Sequence, residues 1–220
     1  MTYDLILLDI EVQRDFFLSQ GRCYTHEADA ARSNIYSLFD WAKRNDHPIL
    51  STVLRVPDGR IGPLADKPHC VEGTPGERKL FKTIVRPYLN LGLLNTTDLP
   101  DDLFEQYRQV IFEKRNTDIF LHARAERLLS ELPSVEFVLC GAGVAHGIVQ
   151  AAVGLRARGF RVTLATDAVL GLDDPAAGMA YSRMNAKGVR FLKTREITQP
   201  HRLAPPGPVF RTLSAAGRET

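Results

Sequence analysis

The chain has 220 residues, of which 44% are hydrophobic and 25% charged, values typical of a folded globular protein. Its formal net charge of +2 provides no strongly basic surface, so the composition argues against nucleic acid and against anionic membranes as partners. No apolar run approaches the roughly 20 residues that cross a bilayer, which argues against a membrane-spanning segment.

The cysteine content favours a reducing compartment. The three cysteines are odd in number and widely spaced, which is typical of a cytoplasmic protein rather than a disulfide framework: Cys23, Cys70 and Cys140. The N-terminal segment "MTYDLILLDIE" has no basic region and no small-residue cleavage site, so we interpret it as a strand and not as a signal peptide. We therefore expect a cytoplasmic location.

Short apolar runs alternate with helical patterns along the chain. The apolar runs predict strands over residues 3–10, 47–56, 109–114, 135–142, 160–169 and 189–194. The amphipathic patterns predict helices over residues 28–44, 117–132, 144–158 and 174–188. In the first helix the expected inward residues are Ala31, Ile35, Leu38, Phe39 and Ala42, and in the second Ile119, Leu121 or His122, Ala125, Leu128 and Leu129.

This alternation predicts one α/β domain, a three-layer α/β/α, Rossmann-like architecture with a mainly parallel sheet. The domain is expected to cover residues 1–198, followed by a Pro-rich tail, 199–220, that is flexible or crosses to another subunit. Residues 57–100 are rich in Gly, Pro and Asp, and an irregular stretch of that length is uncommon unless it is functional.

Charged residues follow two of the predicted strands, at the sheet edge where parallel α/β proteins bind ligands. Asp9 and Glu11 are two residues apart, so both side chains are expected on one face. We interpret Asp9 as a cap of the next turn. We interpret Glu11 as a candidate proton carrier, because partial burial of an acid raises its proton affinity.

Lys114 ends another predicted strand, within the charge run "EKR". A solvated lysine is the simplest interpretation of this position alone. Next to Glu11, at the same sheet edge, it would instead neutralise the acid or hold an anionic substrate.

The turn "GAGVAHG" separates a predicted strand from a helix and contains no Ser, Thr or Cys. Its glycines permit positive φ or close approach to a ligand, and the helix beyond presents free N–H groups. The glycine spacing matches neither GxGxxG nor a phosphate-binding Walker loop. His146 is a possible proton carrier, although a single His in a first helical turn is more often a cap or a packing residue.

These segments together resemble the isochorismatase-like hydrolase superfamily, which includes nicotinamidases, other cysteine amidohydrolases and isochorismatases. The resemblance covers residues 3–198. "EVQRDFF" resembles the opening D-x-Q-x-D-F motif, and "HCVEGTPGE" a loop common in the amidohydrolases. "IFEKRNTDIF" resembles the segment with the family's lysine, "GAGVAHGIVQ" its last site segment, and "MNAKGVRFLKT" its closing motif.

The resemblance implies a parallel sheet flanked by helices and a site made of an Asp, a Lys and a Cys. The Lys position is Lys114, the Asp position is Glu11, and the Cys position is Gly147. The family's non-proline cis peptide would fall on Ala142–Gly143. We expect the substrate to contact the side chains or backbone of Gln13, Phe16, Phe120, Ala142, Gly143 and His146.

The glycine at position 147 decides which chemistry is expected. Amide hydrolysis through a thioester needs a thiolate, so nicotinamidase activity is not expected. Isochorismatases resemble this chain in having glycine there, and they hydrolyse a vinyl ether by protonating its carbon and capturing the cation with water. Glu11 and Lys114 are suited to such acid–base work, although Glu places its proton about 1 Å deeper than Asp, which can lower the rate on the order of 100-fold.

No metal and no cofactor are predicted. The sequence has no CxxC, HExxH or paired Cys/His spacing. Asp58 and His69 are too few for a closed site, and Arg60 stands where the resemblance implies a His ligand.

Three interpretations are compatible with the sequence. The first is a thiol-independent hydrolase of a small carboxylated or enol-ether substrate. The second is a catalytically inactive family member that binds a small metabolite or a protein partner. The third is a cysteine hydrolase in which another residue than Gly147 occupies the nucleophile position. The resemblance also implies a homodimer or homotetramer.

Overall fold

Leu and Ile fill five of the six positions of the first strand, β1 (Leu5–Ile10), as expected of a strand covered on both faces. The computed structural model describes residues 4–57, 68–133 and 135–199. Within these ranges the further strands are β2 (Ile49–Leu54), β3 (Tyr88–Asn90), β4 (Gln109–Lys114), β5 (Glu136–Ala142), β6 (Arg161–Leu170) and β7 (Arg190–Leu192). The α-helices are α1 (Arg14–Phe17), α2 (Glu27–Arg44), α3 (Leu103–Gln106), α4 (Ala123–Glu131), α5 (Val149–Ala157), α6 (Ala177–Ala186) and α7 (Thr194–Thr198).

These strands form one sheet in the order β3-β4-β2-β1-β5-β6-β7, and every neighbouring pair is parallel. The predicted three-layer α/β architecture with a parallel sheet is therefore confirmed. The strand order reverses direction next to β1, between β2 and β5. Such a reversal opens a crevice at the carboxyl ends of the strands.

Each face of the sheet carries its own hydrophobic core. One core includes side chains from α4, α5 and α6, and the other side chains from α2 and from the segment that precedes β3. All five inward positions predicted for α2 are buried. In the second predicted helix His122 is buried and Leu121 is 60% exposed, which decides between the two alternatives.

The element boundaries differ from the prediction in several places. The edge strand β3 lies inside the stretch predicted as irregular, and α1, α3 and α7 were not predicted. The helix predicted over 144–158 begins regularly only at Val149, after a wide turn over Val144–Ile148. Residues 58–67, with Asp58 and Arg60, and the tail from 200 onwards lie outside the described residues. None of the helices in the described part combines the length and apolar character that a membrane crossing requires.

Candidate functional site

The carboxyl ends of four adjacent strands, β4, β2, β1 and β5, meet at one edge of the sheet. Ile10 pairs with Gly141, and Leu54 pairs with Lys114. Glu11 directly follows β1, and the glycine-rich turn directly follows β5. The register of the sheet therefore brings the predicted acid, lysine and glycine turn to the same crevice.

Glu11 has an unusual backbone conformation. Its φ is 54°, in the left-handed region, and only 2% of its surface is exposed. Its N–H donates to the carbonyl oxygen and to Oγ1 of Thr52, both at 3.2 Å. Its carboxylate forms an ion pair with Lys114. A left-handed non-glycine residue costs of order 1 kcal/mol or more, so the surrounding contacts must maintain this conformation.

The ammonium group of Lys114 has an acceptor for each of its three N–H groups. It donates to Glu11 Oε1 and to the carbonyl oxygens of Asn116 and Thr117, the latter two at 3.0 Å. The side chains of Glu11 and Lys114 are each 3% exposed. Of the two predicted roles, the contacts of Lys114 correspond to neutralising Glu11, because no N–H remains for an anionic substrate.

Gly147 lies against the Glu11 carboxylate. A Cβ added to Gly147 would lie 2.8 Å from Ile10 Cγ2, 3.2 Å from Glu11 Oε1 and 3.3 Å from the carbonyl oxygen of Thr117. Carbon atoms in favourable contact are about 3.5–4.0 Å apart, so any side chain here would push Ile10 away. The space that a side chain at this position would need is therefore held by Ile10 and Glu11.

The turn before Gly147 depends on its glycines. Gly141 and Gly143 have φ of 129° and 78°, and a Cβ on Gly141 would overlap the carbonyl oxygen of Ile10. Ala142 between them is fully buried. The expected cis peptide at Ala142–Gly143 is not found: among the described residues the cis bond is Arg86–Pro87.

His146 interrupts the wide turn with non-helical φ and ψ of −123° and −106°. It is neither a helix cap nor fully buried. Its Nε2 lies 2.8 Å from Oδ2 of Asp174, in the segment between β6 and α6, and the two side chains are 21% and 14% exposed. No pattern in the sequence indicates this pair, because the residues are 28 positions apart in the chain.

Two predicted substrate contacts, Gln13 and Phe16, serve packing instead. The amide nitrogen of Gln13 donates to the carbonyl oxygens of Leu54 and Glu77, at 2.8 and 2.7 Å, and its oxygen accepts the N–H of Leu54. Phe16 is 1% exposed and its ring packs edge-on against His69. Both side chains are enclosed and Gln13 has no free N–H, so a contact with substrate would need these interactions to open and stays a prediction.

Phe120, another predicted substrate contact, packs away from Gly147. Its ring packs against Gly154, where a Cβ would overlap it, and against the guanidinium of Arg158, 3.9 Å from the ring centroid. Gly154 lies seven residues beyond Gly147, which is about 10 Å along a helix. The 3-10 turn Ile119–Leu121 therefore directs Phe120 towards the far half of α5.

A second buried ion pair lies beside the first, between Asp9 and Lys79. Asp9 also accepts the hydroxyl of Ser51, which in turn accepts the side-chain N–H of Gln109 at 2.7 Å. Burial raises the pKa of Asp9, and the charge of Lys79 opposes that rise. The interpretation of Asp9 as a cap of the next turn is wrong, because its carboxylate accepts from the side chains of Lys79 and Ser51. Asp9 and Glu11 have separate lysine partners. Lys79 had no recognisable signal, since it lies 70 residues from Asp9.

The cysteines offer no substitute thiolate. All three are buried. Burial, followed by the negative charges of Glu11 and Asp15, raises the pKa of the Cys70 thiol, and burial likewise raises that of Cys140. Such thiols stay protonated and are poor nucleophiles. Within residues 4–57, 68–133 and 135–199, no three His, Cys, Asp or Glu side chains are placed to hold a metal ion.

Comparison with known proteins shows what part of the chain is similar to. Residues 95–196 match the family model described as the isochorismatase domain. No curated protein shows significant sequence similarity to the chain. The predicted resemblance to isochorismatase-like proteins is thus confirmed by the domain match over these residues.

Three solved structures illustrate the shared fold. An isochorismatase family protein from Desulfovibrio vulgaris has a TM-score of 0.66 at 18% identity, covering 89% of this chain and 97% of its own. Nicotinamidase/pyrazinamidase from Bacillus subtilis has a TM-score of 0.65 at 20% identity, covering 88% and 100%. N-carbamoylsarcosine amidase from Thermoplasma acidophilum has a TM-score of 0.62 at 17% identity, covering 88% and 97%. At these identities the likeness establishes the fold alone.

Proposed function

We propose, from the premise that residues 95–196 form an isochorismatase domain, that this chain is a hydrolase that works by acid–base chemistry without a thiol. Its substrate class is a small carboxylated or enol-ether compound. The observation that carries the proposal is the position of the Glu11 carboxylate, which is paired with Lys114 and lies against Gly147 at the carboxyl edge of the sheet.

The conformation of Glu11 supports a functional role. A buried ion pair combined with a left-handed backbone is an unfavourable way to end a strand, since both desolvation and φ oppose it. Sparsely populated backbone conformations concentrate at active sites. Glu11 adopts one at the crevice next to the strand-order reversal.

The proposed reaction needs a proton donor and water, but no protein nucleophile. When the pair with Lys114 opens, the Glu11 carboxylate takes up a proton from solvent and transfers it to the terminal carbon of the enol ether, where the C=C electron pair forms the new C–H bond. Water then bonds to the cationic carbon and releases a proton to solvent. The resulting hemiketal breaks into a ketone and an alcohol as its hydroxyl proton moves to the departing oxygen. Lys114 holds the Glu11 carboxylate in place and compensates its charge after transfer.

Substrate entry requires a local opening, because Glu11 and Lys114 are nearly inaccessible. The segment after β4 covers the pair, through the hydrogen bonds from Lys114 to the carbonyl oxygens of Asn116 and Thr117. Arg115 and Asn116 are exposed, so this cover is thin. Displacing it would free two N–H groups of Lys114 for a substrate carboxylate.

The same closure favours a second candidate function, a catalytically inactive protein that binds a metabolite or a protein partner. A lysine with all its donors used and a carboxylate that fills the space beside Gly147 suit a structural ion pair. In that case the domain would use another surface for its ligand.

The experiment is a hydrolysis assay with a panel of vinyl ethers, amides and esters of small carboxylic acids. Wild-type protein is compared with Glu11→Gln, which keeps the shape and a hydrogen bond to Lys114 but cannot donate a carboxylic proton. We expect loss of turnover by about 100-fold or more, the range for a general acid. The matched control is Glu72→Gln, which removes an exposed carboxylate paired with Arg115 in front of the same segment.

Turnover that persists in Glu11→Gln would contradict the proposed role of this acid. If the wild-type protein turned over no substrate of the panel but bound one of them in calorimetry, the second candidate function would hold.

A further inference from the structure

The pair formed by His146 and Asp174 lies next to the proposed centre but is not part of it. Nε2 of His146 is enclosed and has no hydrogen-bond partner among the described residues, although Asp174 Oδ2 lies 2.8 Å away. At this distance the carboxylate would attract a protonated imidazole strongly. Catalytic hydrogen bonds are often poorly aligned before substrate binds.

Both segments that carry the pair have irregular backbones. His146 has non-helical angles inside its turn, and Leu172 and Asp173 have left-handed φ of 61° and 54° directly before Asp174. The other oxygen of Asp174, Oδ1, accepts the N–H of Ala176 at 2.7 Å, which fixes the carboxylate. Three residues in uncommon conformations thus converge on one contact, which is a pattern of functional rather than of structural pairs.

No hydrogen bond joins Nε2 to Asp174, so this contact does not fix the tautomer of His146. When Nδ1 carries the lone pair it can accept a proton, and the imidazolium then lies 2.8 Å from the Asp174 carboxylate.

We propose that His146 is the general base that removes a proton from the attacking water and that Asp174 is its positioning residue. The inference rests on the proposed hydrolase function and adds the partner that Glu11 lacks. The water oxygen bonds to the electrophilic carbon, and its proton moves to Nδ1 of His146. As the leaving group departs, it takes this proton from the imidazolium or leaves as an anion.

The two proton carriers flank the same turn. Glu11 Oε1 lies 3.2 Å from the place of a Cβ at residue 147, and His146 is the preceding residue. Glu11 is 2% exposed, whereas the side chain of His146 is 21% exposed and can meet water.

The test compares His146→Gln and Asp174→Asn with two matched controls, His26→Gln and Asp40→Asn, which change an exposed histidine and an exposed carboxylate away from the pair's contact. On any panel substrate that the wild-type protein hydrolyses, we expect His146→Gln to lower kcat by about 100-fold or more with KM little changed. Asp174→Asn should lower kcat less, Asp174→Glu should restore part of it, and both controls should match the wild type.

Unchanged kcat in His146→Gln, or no recovery of activity in Asp174→Glu relative to Asp174→Asn, would overturn the inference.

Hydrolysis of p-nitrophenyl acetate separates the inference from the proposed function. Here water adds to the acetyl carbon, its proton goes to His146, and p-nitrophenolate leaves, with no step for Glu11. A rate that falls in His146→Gln but not in Glu11→Gln supports the base even if no panel substrate is turned over. A rate that does not depend on His146 overturns the inference, whatever the role of Glu11.

Discussion

At the scale of single residues, Glu11 and Gly147 are complementary. A glutamate reaches further into the crevice than the aspartate that the family motif implies, and its oxygen lies where a side chain at position 147 would begin. The sequence predicted that Glu11 and Lys114 meet, because both follow strands that share an edge. The sequence did not predict that every N–H group of Lys114 has an acceptor. Two of the acceptors, at Asn116 and Thr117, are backbone carbonyl oxygens, which any residue type supplies.

Removing one partner of the buried pair should strongly destabilise the protein. We expect Lys114→Met to lower the free energy of unfolding by about 3–5 kcal/mol, because Glu11 then keeps a buried charge without a partner. The double variant Glu11→Gln/Lys114→Met should recover much of this loss. Urea denaturation of the three proteins measures both effects.

The control for this prediction is Lys43→Met, the same substitution in an exposed pair with Asp40 on α2. It should change the free energy of unfolding by about 0.5 kcal/mol or less. A loss in Lys114→Met no greater than that of Lys43→Met would mean that Glu11 finds another partner or neutralises without cost.

At the scale of elements, helical periodicity located α5 but not its beginning. Hydrophobic spacing reports which face of a helix is buried, and Val144 and Ile148 fit that pattern although they precede the regular helix. The irregular turn depends on the left-handed φ of Gly143 and on the contact between His146 and Asp174, neither of which leaves a periodic signal. Phe120 was misplaced for a similar reason, because a 3-10 turn changes the direction of a side chain without changing the hydrophobic pattern.

Two helical glycines, Gly154 in α5 and Gly178 in α6, allow the effect of side-chain packing to be compared with that of helix propensity. Gly154→Ala should destabilise the protein by about 1–3 kcal/mol, because a Cβ there overlaps the ring of Phe120. Gly178→Ala in α6 should stabilise it by about 0.5–1 kcal/mol, because no atom lies within 4 Å of its Cβ and alanine favours the helix. Thermal and urea unfolding of both variants give the comparison.

Equal effects of the two alanine substitutions would contradict the packing of Phe120 on Gly154. In that case α5 and the 3-10 turn before α4 would be further apart than this packing requires.

At the scale of the whole molecule, the parallel sheet was predictable and its edges were not. Buried strands such as β1 and β5 are recognisable because both faces are covered and their apolar runs are nearly continuous. The edge strand β3 has three residues, with Tyr88 and Asn90 exposed, so its sequence resembles a loop. The long-range pair of Asp9 and Lys79 was likewise hidden, because only the completed fold brings residues 9 and 79 together.

The strand order predicts the order in which the strands exchange their amide hydrogens. In hydrogen exchange, backbone amides of the central strands β1, β2 and β5 should be the last to exchange, and those of the three-residue edge strands β3 and β7 the first. Mass spectrometry of peptides after timed labelling measures this order. Protection of β3 or β7 equal to that of β1 would indicate that another chain covers that edge, as in the expected homo-oligomer.

The close fit between Glu11 and Gly147 also bears on descent. Introducing sulfur at position 147 by a single mutation would crowd Ile10, whereas shortening Glu11 alone would leave a gap beside a buried lysine. Each change is unfavourable until the other has occurred, so the two positions are coupled. A lineage that had passed this point would be committed to whatever chemistry oxygen and nitrogen can perform in the crevice.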